Sequence, residues 1–258
     1  MKYMTMNFNF LQCIPFLTGL IKNIPSPCAL CHSDSNDGIC DDCYHRYFSA
    51  QCPRCSKCAN TLPFHDSENE NLLCGDCVKK LPSFDETIVA IDYEPPLDQL
   101  VHLLKFHANL TMAPIMGKLI VKAIGKNRRP VCPDYLIAVP LGKQRLTERG
   151  FNQSLEIAKT LSRSLKADLV FDLVERIRET EKQSTISFKE RKKNVRNAFG
   201  IVETNRHLIH NSHIGIIDDV MTTGETLEEI AALLKKAGAA RITNFVFART
   251  PPKNLQEI

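Results

Sequence analysis

Several familiar signals are missing from this sequence. It has no G-x-G-x-x-G run, which weakens a dinucleotide site, and no turn with a P-loop lysine, which makes a nucleoside-triphosphate site poor. No apolar run is long enough to cross a bilayer, because residues 8–24 are interrupted by Gln12, Pro15 and Lys22. That stretch also lacks a basic leader followed by an unbroken apolar core, so no secretory signal is read there. A short amphipathic helix packed on a neighbour is expected instead. Tryptophan is absent, and the net charge of +4 is too mild to argue by itself for a nucleic-acid partner.

Cysteine is what the chain has in excess. Of 11 cysteines only Cys13 and Cys132 fall outside residues 28–77. Cys28-x-x-Cys31 is followed by Cys40-x-x-Cys43, then Cys52-x-x-Cys55 by Cys74-x-x-Cys77. Each pair bends two thiolates toward one tetrahedral Zn²⁺, so eight cysteines suit two closed, structural sites. Sequential sites are favoured over crossed ones: Cys28, Cys31, Cys40 and Cys43 in the first, and Cys52, Cys55, Cys74 and Cys77 in the second. Cys58 also sits three after Cys55 and could replace Cys52. His32, His45 and His65 are read as surface residues. Thiolates kept for metal imply a reducing cytoplasm. The region is small and polar, so metal is expected to supply most of its folding free energy.

At 258 residues the chain suggests one sizeable core plus a smaller module. Pro82 breaks a linker, and from Glu86 strands alternate with helices. Strands are expected at residues 87–93, 135–139, 169–173, 214–218 and 242–248, with helices at 95–106, 112–124 and from Phe151 to Leu165. This pattern implies an α/β fold with a doubly wound, mostly parallel sheet, preceded by a Cys-rich zinc-binding domain. The expected boundaries are a helical lead-in at 1–27, a double zinc ribbon at 28–80, and the α/β domain at 86–250.

The chemistry concentrates after the strand at Ile214, Ile216 and Ile217. That run meets Asp218 and Asp219, then the small, hydroxylated turn Thr222, Thr223, Gly224, Glu225 and Thr226, then a helix. A strand, a small-residue turn and a helix present backbone N–H groups to a phosphate. Adjacent carboxylates accept hydrogen bonds from neighbouring hydroxyls, so the pattern fits a sugar phosphate. A solvated turn with a good N-cap is the plain alternative. It resembles the phosphoribosyl pyrophosphate (PRPP) loop of type I phosphoribosyltransferases. After the strand that stops at Pro140, Leu141, Gly142, Lys143, Gln144 and Arg145 read as a glycine-permitted turn with two cations, suited to a diphosphate. Arg149, Gly150, Phe151, Asn152 and Gln153 form a polar set that opens the next helix, read either as part of the site or as simple capping. Residues 176–196 hold eight Lys or Arg against Glu179, Glu181 and Glu190, and read as a lid, as a track for a nucleic-acid backbone, or as a solvated basic helix.

Cysteine pairs, then Leu104-Lys105-Phe106, Val139-Pro140-Leu141, Arg149-Gly150-Phe151-Asn152-Gln153, Gln183, Arg191, Asn194, Ala198-Phe199 and the Asp218 loop occur in that order. The chain thereby resembles the ComF family of competence-associated, phosphoribosyltransferase-like proteins over roughly residues 28–250. The resemblance implies a type I phosphoribosyltransferase-like fold, PRPP bound with Mg²⁺, and a role in DNA uptake or use of external DNA. Simple members carry the first cysteine quartet alone, so the second is an elaboration. Asp218 and Asp219 would hold the ribose hydroxyls and carry catalysis. Residues 222–226 would hold the 5′-phosphate, and Leu141, Gly142, Lys143, Arg145 and Lys105 the rest of the substrate. Lys189, Arg191, Lys192 and Lys193 are the candidates for single-stranded DNA. No general base stands out, which keeps open a non-catalytic PRPP sensor that adapts DNA to a competence helicase.

Overall fold

Among the described residues the first elements are strands β1 (Ser26–Pro27) and β2 (Asp34–Ser35), which pair antiparallel. The computed structural model describes residues 26–49, 52–63, 72–126, 131–178 and 195–251. Helices α1 (Asp41–Phe48) and α2 (Gly75–Lys79) each begin directly after a cysteine, Cys40 and Cys74, at the N-cap. The remaining elements among the described residues are β3 (Glu86–Asp92), α3 (Asp98–Phe106), α4 (Met112–Gly125), β4 (Tyr135–Ala138), α5 (Lys143–Arg149), α6 (Gln153–Leu165), β5 (Asp168–Leu169), β6 (Val174–Arg176), β7 (Phe199–Ile201), a 3-10 helix (Glu203–Leu208), β8 (His213–Met221), α7 (Glu225–Lys236) and β9 (Arg241–Arg249). The expected lead-in helix at residues 8–24 lies outside the described residues.

Five strands form one sheet in the order β3-β9-β8-β4-β5, with every pairing parallel. The chain leaves β4 toward β5 at one edge, and leaves β8 toward β9 on the other side. The order therefore reverses between β4 and β8, and an open α/β sheet leaves its ligand crevice at such a point, beyond the carboxyl ends of the strands. The expected strand at residues 169–173 is shorter: β5 covers two residues and the chain then turns into the β6–β7 hairpin.

Burial on both faces explains why β4, β8 and β9 read as nearly continuous apolar runs. Alternate residues join different layers. Leu136, Ala138, Ile217, Phe245 and Phe247 pack with α3, α4 and α6, whereas Ile137, Val139, Ile214, Ile216, Ile242 and Val246 pack with α7. Each amphipathic helix contributes a stripe at helical spacing, such as Leu227, Ile230, Ala231 and Leu234 on α7. Each fully buried Leu or Ile contributes about 1.5–3 kcal/mol. The cysteine region belongs to these layers. Cys28, Ile39, Cys43 and Phe48 join the first, and Cys55, Cys58, Cys77 and Phe84 join the second.

Gly215 sits where β8 passes closest to its neighbours. A Cβ there would lie 2.5 Å from Leu136 Cδ2 and 2.6 Å from Phe245 Cε2, both fully buried. Gly215→Ala is therefore expected to lower unfolding free energy by about 1–3 kcal/mol, read from the urea midpoint at unchanged slope. An unaltered midpoint would show that the strand interior has room to give.

Candidate functional site

The two cysteine groupings repeat one local structure. Cys28 N donates to Ser33 O at 2.7 Å and His32 N to Cys28 O at 2.9 Å. In the second copy Cys55 N donates to Asn60 O at 2.8 Å and Ala59 N to Cys55 O at 2.9 Å. His32 and Ala59, each following the second cysteine of its pair, share a left-handed φ of 64° and 56°. The later pairs match as well, since Tyr44 N and Val78 N each donate at 2.9 Å to the capping cysteines Cys40 and Cys74.

This repeat decides the second ligand set. The sulfurs of Cys28, Cys31, Cys40 and Cys43 lie within 4.8 Å of one another, and so do those of Cys55, Cys58, Cys74 and Cys77. The expectation of Cys52 in the second set is corrected. Arg54 pairs with Thr61 one residue before Cys55, as Pro27 pairs with Asp34 one residue before Cys28. Cys52 therefore precedes that bridge, exposed and outside the turn. Crowding splits the thiols. Hydrogen bonding with Cys58 draws Cys55 down to about 4, and the same bond pushes Cys58 far up. Four sulfurs so placed form a soft donor set suited to a single cation.

At the crevice, β8 continues past its expected end at Asp218 to Met221, so both carboxylates lie within the strand. Their partners diverge. Asp219 is buried and pairs with Lys105 Nζ of α3 at 2.8 Å. Asp218 Oδ1 accepts from Ser154 Oγ of α6 at 3.1 Å and from Asp219 N at 2.9 Å. Asp218 keeps part of its surface open, while its carboxyl is packed among protein atoms. Burial, and then the negative charge of Asp219, pushes its pKa up to about 7, with Lys105 and the two donors opposing.

Beyond Met221 the chain turns through Thr222 and Thr223 to Gly224, the α7 N-cap, with a left-handed φ of 83°. The left-handed φ favours glycine here, and Met221 Cε fills the space a Cβ would enter, 2.5 Å from its position. Asp218 and residues 220–227 line an open pocket of about 230 Å³. It collects Asp218, Thr222, Thr223, Gly224, Glu225 and Thr226; the amides of the first α7 turn border it.

The segment after β4 differs from the expected turn. Gly142 has φ −65°, which any residue adopts, and Lys143 and Arg145 lie on α5. Parallel pairing still sets this segment beside the crevice, because Val139 N donates to Ile217 O at 3.0 Å. Asn152 caps α6 by accepting from Leu155 N and donates to Val139 O at 3.0 Å, joining the two crevice-forming elements.

Ser154, Arg149 and Arg249 were missed as site residues by sequence reasoning. Half-buried Arg149 is lowered by burial and stabilised by the charge of Asp219. Arg249 ends β9, where register sets it opposite Met221, and its guanidinium donates to the carbonyls of Met221 and Thr222. Only the β8–β9 pairing reveals that role. The DNA candidates Lys189, Arg191, Lys192 and Lys193 lie outside the described residues.

Residues 152–257 match the phosphoribosyl transferase domain family. The chain is 35% identical to a DNA utilization protein YhgH of Shigella flexneri over 235 residues, 88% of this chain and 98% of that one. It is 30% identical to Competence protein F of Haemophilus influenzae, over 83% of this chain and 92% of that one. The match to Competence protein ComFC of Bacillus subtilis, 36% over 124 residues, spans 46% of this chain and 48% of that one. The chain belongs to the ComF family. The five-stranded parallel sheet and the matched domain make this ComF-family fold type I phosphoribosyltransferase-like. No described helix of this ComF-family chain is long and apolar enough to cross a membrane.

Two measurements test this site. Cys58→Ser is expected to halve the metal bound per chain in elemental analysis, and Cys52→Ser to leave it unchanged; the reverse result would restore Cys52 as the ligand. For Asp218, a folded pKa raised from 3.8 to about 7 means the native state binds the proton more tightly than the unfolded chain. Native stability is then lost as pH rises from about 4 to about 7, with no further loss above. Asp218→Asn removes that cost, so its denaturation midpoint should gain on wild type between pH 4 and pH 8. A constant difference across that range would mean that Asp218 has ordinary acidity.

Proposed function

We propose that this chain is a PRPP-binding, phosphoribosyltransferase-like protein that acts in the use of external DNA. The observation that carries the reading is the pocket at the carboxyl end of β8, where Asp218 and the Thr222–Thr226 turn share one opening at the point of strand-order reversal. In it the turn and the first α7 amides hold the 5′-phosphate, since a helix N-terminus favours an anion. Asp218 accepts from the ribose hydroxyls, and Asp219, fixed by Lys105, adds negative charge beneath the ribose. Lys143 and Arg145 on α5 meet the diphosphate, with half-buried Arg149 beside Asp219 as a third cation.

Mg²⁺ suits this donor set, because Asp218, which lines the pocket, carries hard carboxylate oxygens. Bound with PRPP, Mg²⁺ supplies neutralisation of the diphosphate leaving group. The cysteine clusters suit Zn²⁺. Sulfur separations of 3.5 Å, Cys31 to Cys40 and Cys58 to Cys74, approach the about 3.8 Å of a tetrahedral site with Zn–S near 2.3 Å. With four sulfurs each, both are closed and structural. We assign residues 28–80 to this zinc-held module and 86–250 to the phosphoribosyltransferase-like unit, in the reducing cytoplasm.

The DNA part of the reading draws on the names of the relatives, which refer to DNA utilization and competence. Single-stranded DNA would meet the basic stretch that contains Lys189, Arg191, Lys192 and Lys193, and a competence helicase would be the protein partner.

Calorimetric titration with ribose 5-phosphate and PRPP tests the pocket. Replacing Asp218 and Asp219 together by Asn removes the charge-assisted hydrogen bond of Asp218, worth about 1.5–3 kcal/mol, together with the charge of Asp219, so affinity should fall at least roughly tenfold. Inorganic diphosphate should be much less affected, because Lys143 and Arg145 remain. Undiminished sugar-phosphate affinity in the folded double variant would remove the assignment.

A further inference from the structure

One buried side chain joins the second cysteine cluster to the pocket. Arg249 is 5% exposed. Its Nε donates to Cys58 O at 3.1 Å, and its Nη1 to Met221 O at 3.0 Å, to Thr222 O, and to Thr250 O at 3.3 Å. One planar fork thus ties the carbonyl of a cluster cysteine to the two carbonyls that lead into the phosphate turn. Thr250 N donates to the same Met221 carbonyl at 3.0 Å, and Met221 Cε fills the space beside Gly224. The residues held by Arg249 are therefore those that shape the turn.

The charge balance points the same way. A guanidinium removed from water needs a counter-charge. Among the described residues Arg249 forms no ion pair with a carboxylate, and Arg54 nearby adds positive charge. What its Nε meets is the carbonyl of Cys58, one of the four cysteines of the second cluster. Four thiolates around one divalent cation retain about two negative charges, which supplies the missing balance. The loaded cluster is thus both a hydrogen-bond partner and a counter-ion for the arginine that grips the turn. The first cluster packs in the other layer and has no such link to the pocket among the described residues.

We propose that the metal-loaded second cluster, acting through Arg249 as a positioning residue, sets the conformation of the 222–227 turn, so that sugar-phosphate affinity depends on metal at Cys55, Cys58, Cys74 and Cys77. The affinity half of this statement rests on the PRPP reading above; the turn-ordering half does not. The geometry further requires that the fork, and not the positive charge alone, does the holding. A lysine at the position keeps the charge but has one donor nitrogen, which cannot span Cys58 O and Thr222 O together.

Amide hydrogen exchange on the full chain separates the two halves. In Arg249→Gln and in Cys74→Ser, amides of residues 222–227 should exchange at least about tenfold faster than in wild type, while residues 214–218 keep their protection. Metal analysis should show no loss in Arg249→Gln and one metal lost in Cys74→Ser. Ribose 5-phosphate affinity should fall at least about tenfold in both, and Arg249→Lys should lie between them and wild type. Unchanged exchange at 222–227 in Arg249→Gln overturns the proposal, whatever happens to ligand binding. If Arg249→Gln does not fold, Arg249→Lys carries the comparison, and wild-type protection there overturns it equally. A loosened turn in variants of a wild type that binds no ribose 5-phosphate leaves the coupling standing and removes the PRPP reading instead.

Discussion

β8 has no solvent face and almost no freedom of register. Ile214, Ile216 and Ile217 are fully buried, and parallel ladders to β4 on one side and β9 on the other hold their backbone groups. A slip of one residue would exchange the residues facing α3, α4 and α6 with those facing α7, and would drive a Cβ-bearing neighbour into the space that Gly215 leaves for Phe245. That constraint locates the candidate site. Once Ile217 is locked beside Ala138, the Asp218 carboxylate must emerge next to the end of β4, and Met221 must lie opposite Arg249.

The cysteine turns solve a related problem of coverage. Short, polar segments have little apolar surface with which to seal a sheet, yet each layer here is completed by residues of a four-cysteine cluster. The sulfurs draw the chain into a compact knob, and its few large side chains, Phe48 and Phe84, then dock on the α/β layers. The two copies share hydrogen bonds and left-handed φ values at His32 and Ala59, although their intervening loops differ in length. The backbone path around the paired thiols is what recurs, and loop length is free to vary.

Electrostatics near the crevice follows one rule: each desolvated charge meets an opposite one at close range. Asp219 has Lys105, and Asp92 receives both terminal nitrogens of Arg54 at 2.8 and 2.9 Å. Arg249 meets a cysteine of a cluster that turns anionic when it holds a metal ion. Removing one member of a buried pair costs about 3–5 kcal/mol, so these contacts restrict how the crevice-forming elements can move. Asp218 is the exception. Its partners are neutral donors, Ser154 and a backbone amide, and its nearest charge is a second carboxylate, so it holds a proton unusually tightly. A carboxylate left in that condition accepts hydroxyl hydrogen bonds without first breaking an ion pair.

Periodicity alone determined much of this protein. Alternating apolar strands and amphipathic helices specified a parallel α/β sheet, and the step from Ile217 through Asp218 to Gly224 marked the pocket, because strand, turn and helix-cap preferences are local and leave their mark residue by residue. The first cysteine quartet was equally legible from spacing. What the sequence left open depends on contacts between distant segments. Cys52 and Cys58 have identical spacing to Cys55, and only the Arg54–Thr61 bridge and the turn at Ala59 separate them. The short helix α5 was hidden because its seven residues bury no side chain and so show no stripe. Arg249 carried no local signal at all. An arginine closing a strand has no evident partner until β8 and β9 pair, and tertiary structure alone set its fork between Cys58 and the phosphate turn, because hydrogen bonds spanning 191 and 28 residues of chain are fixed by sheet register and burial.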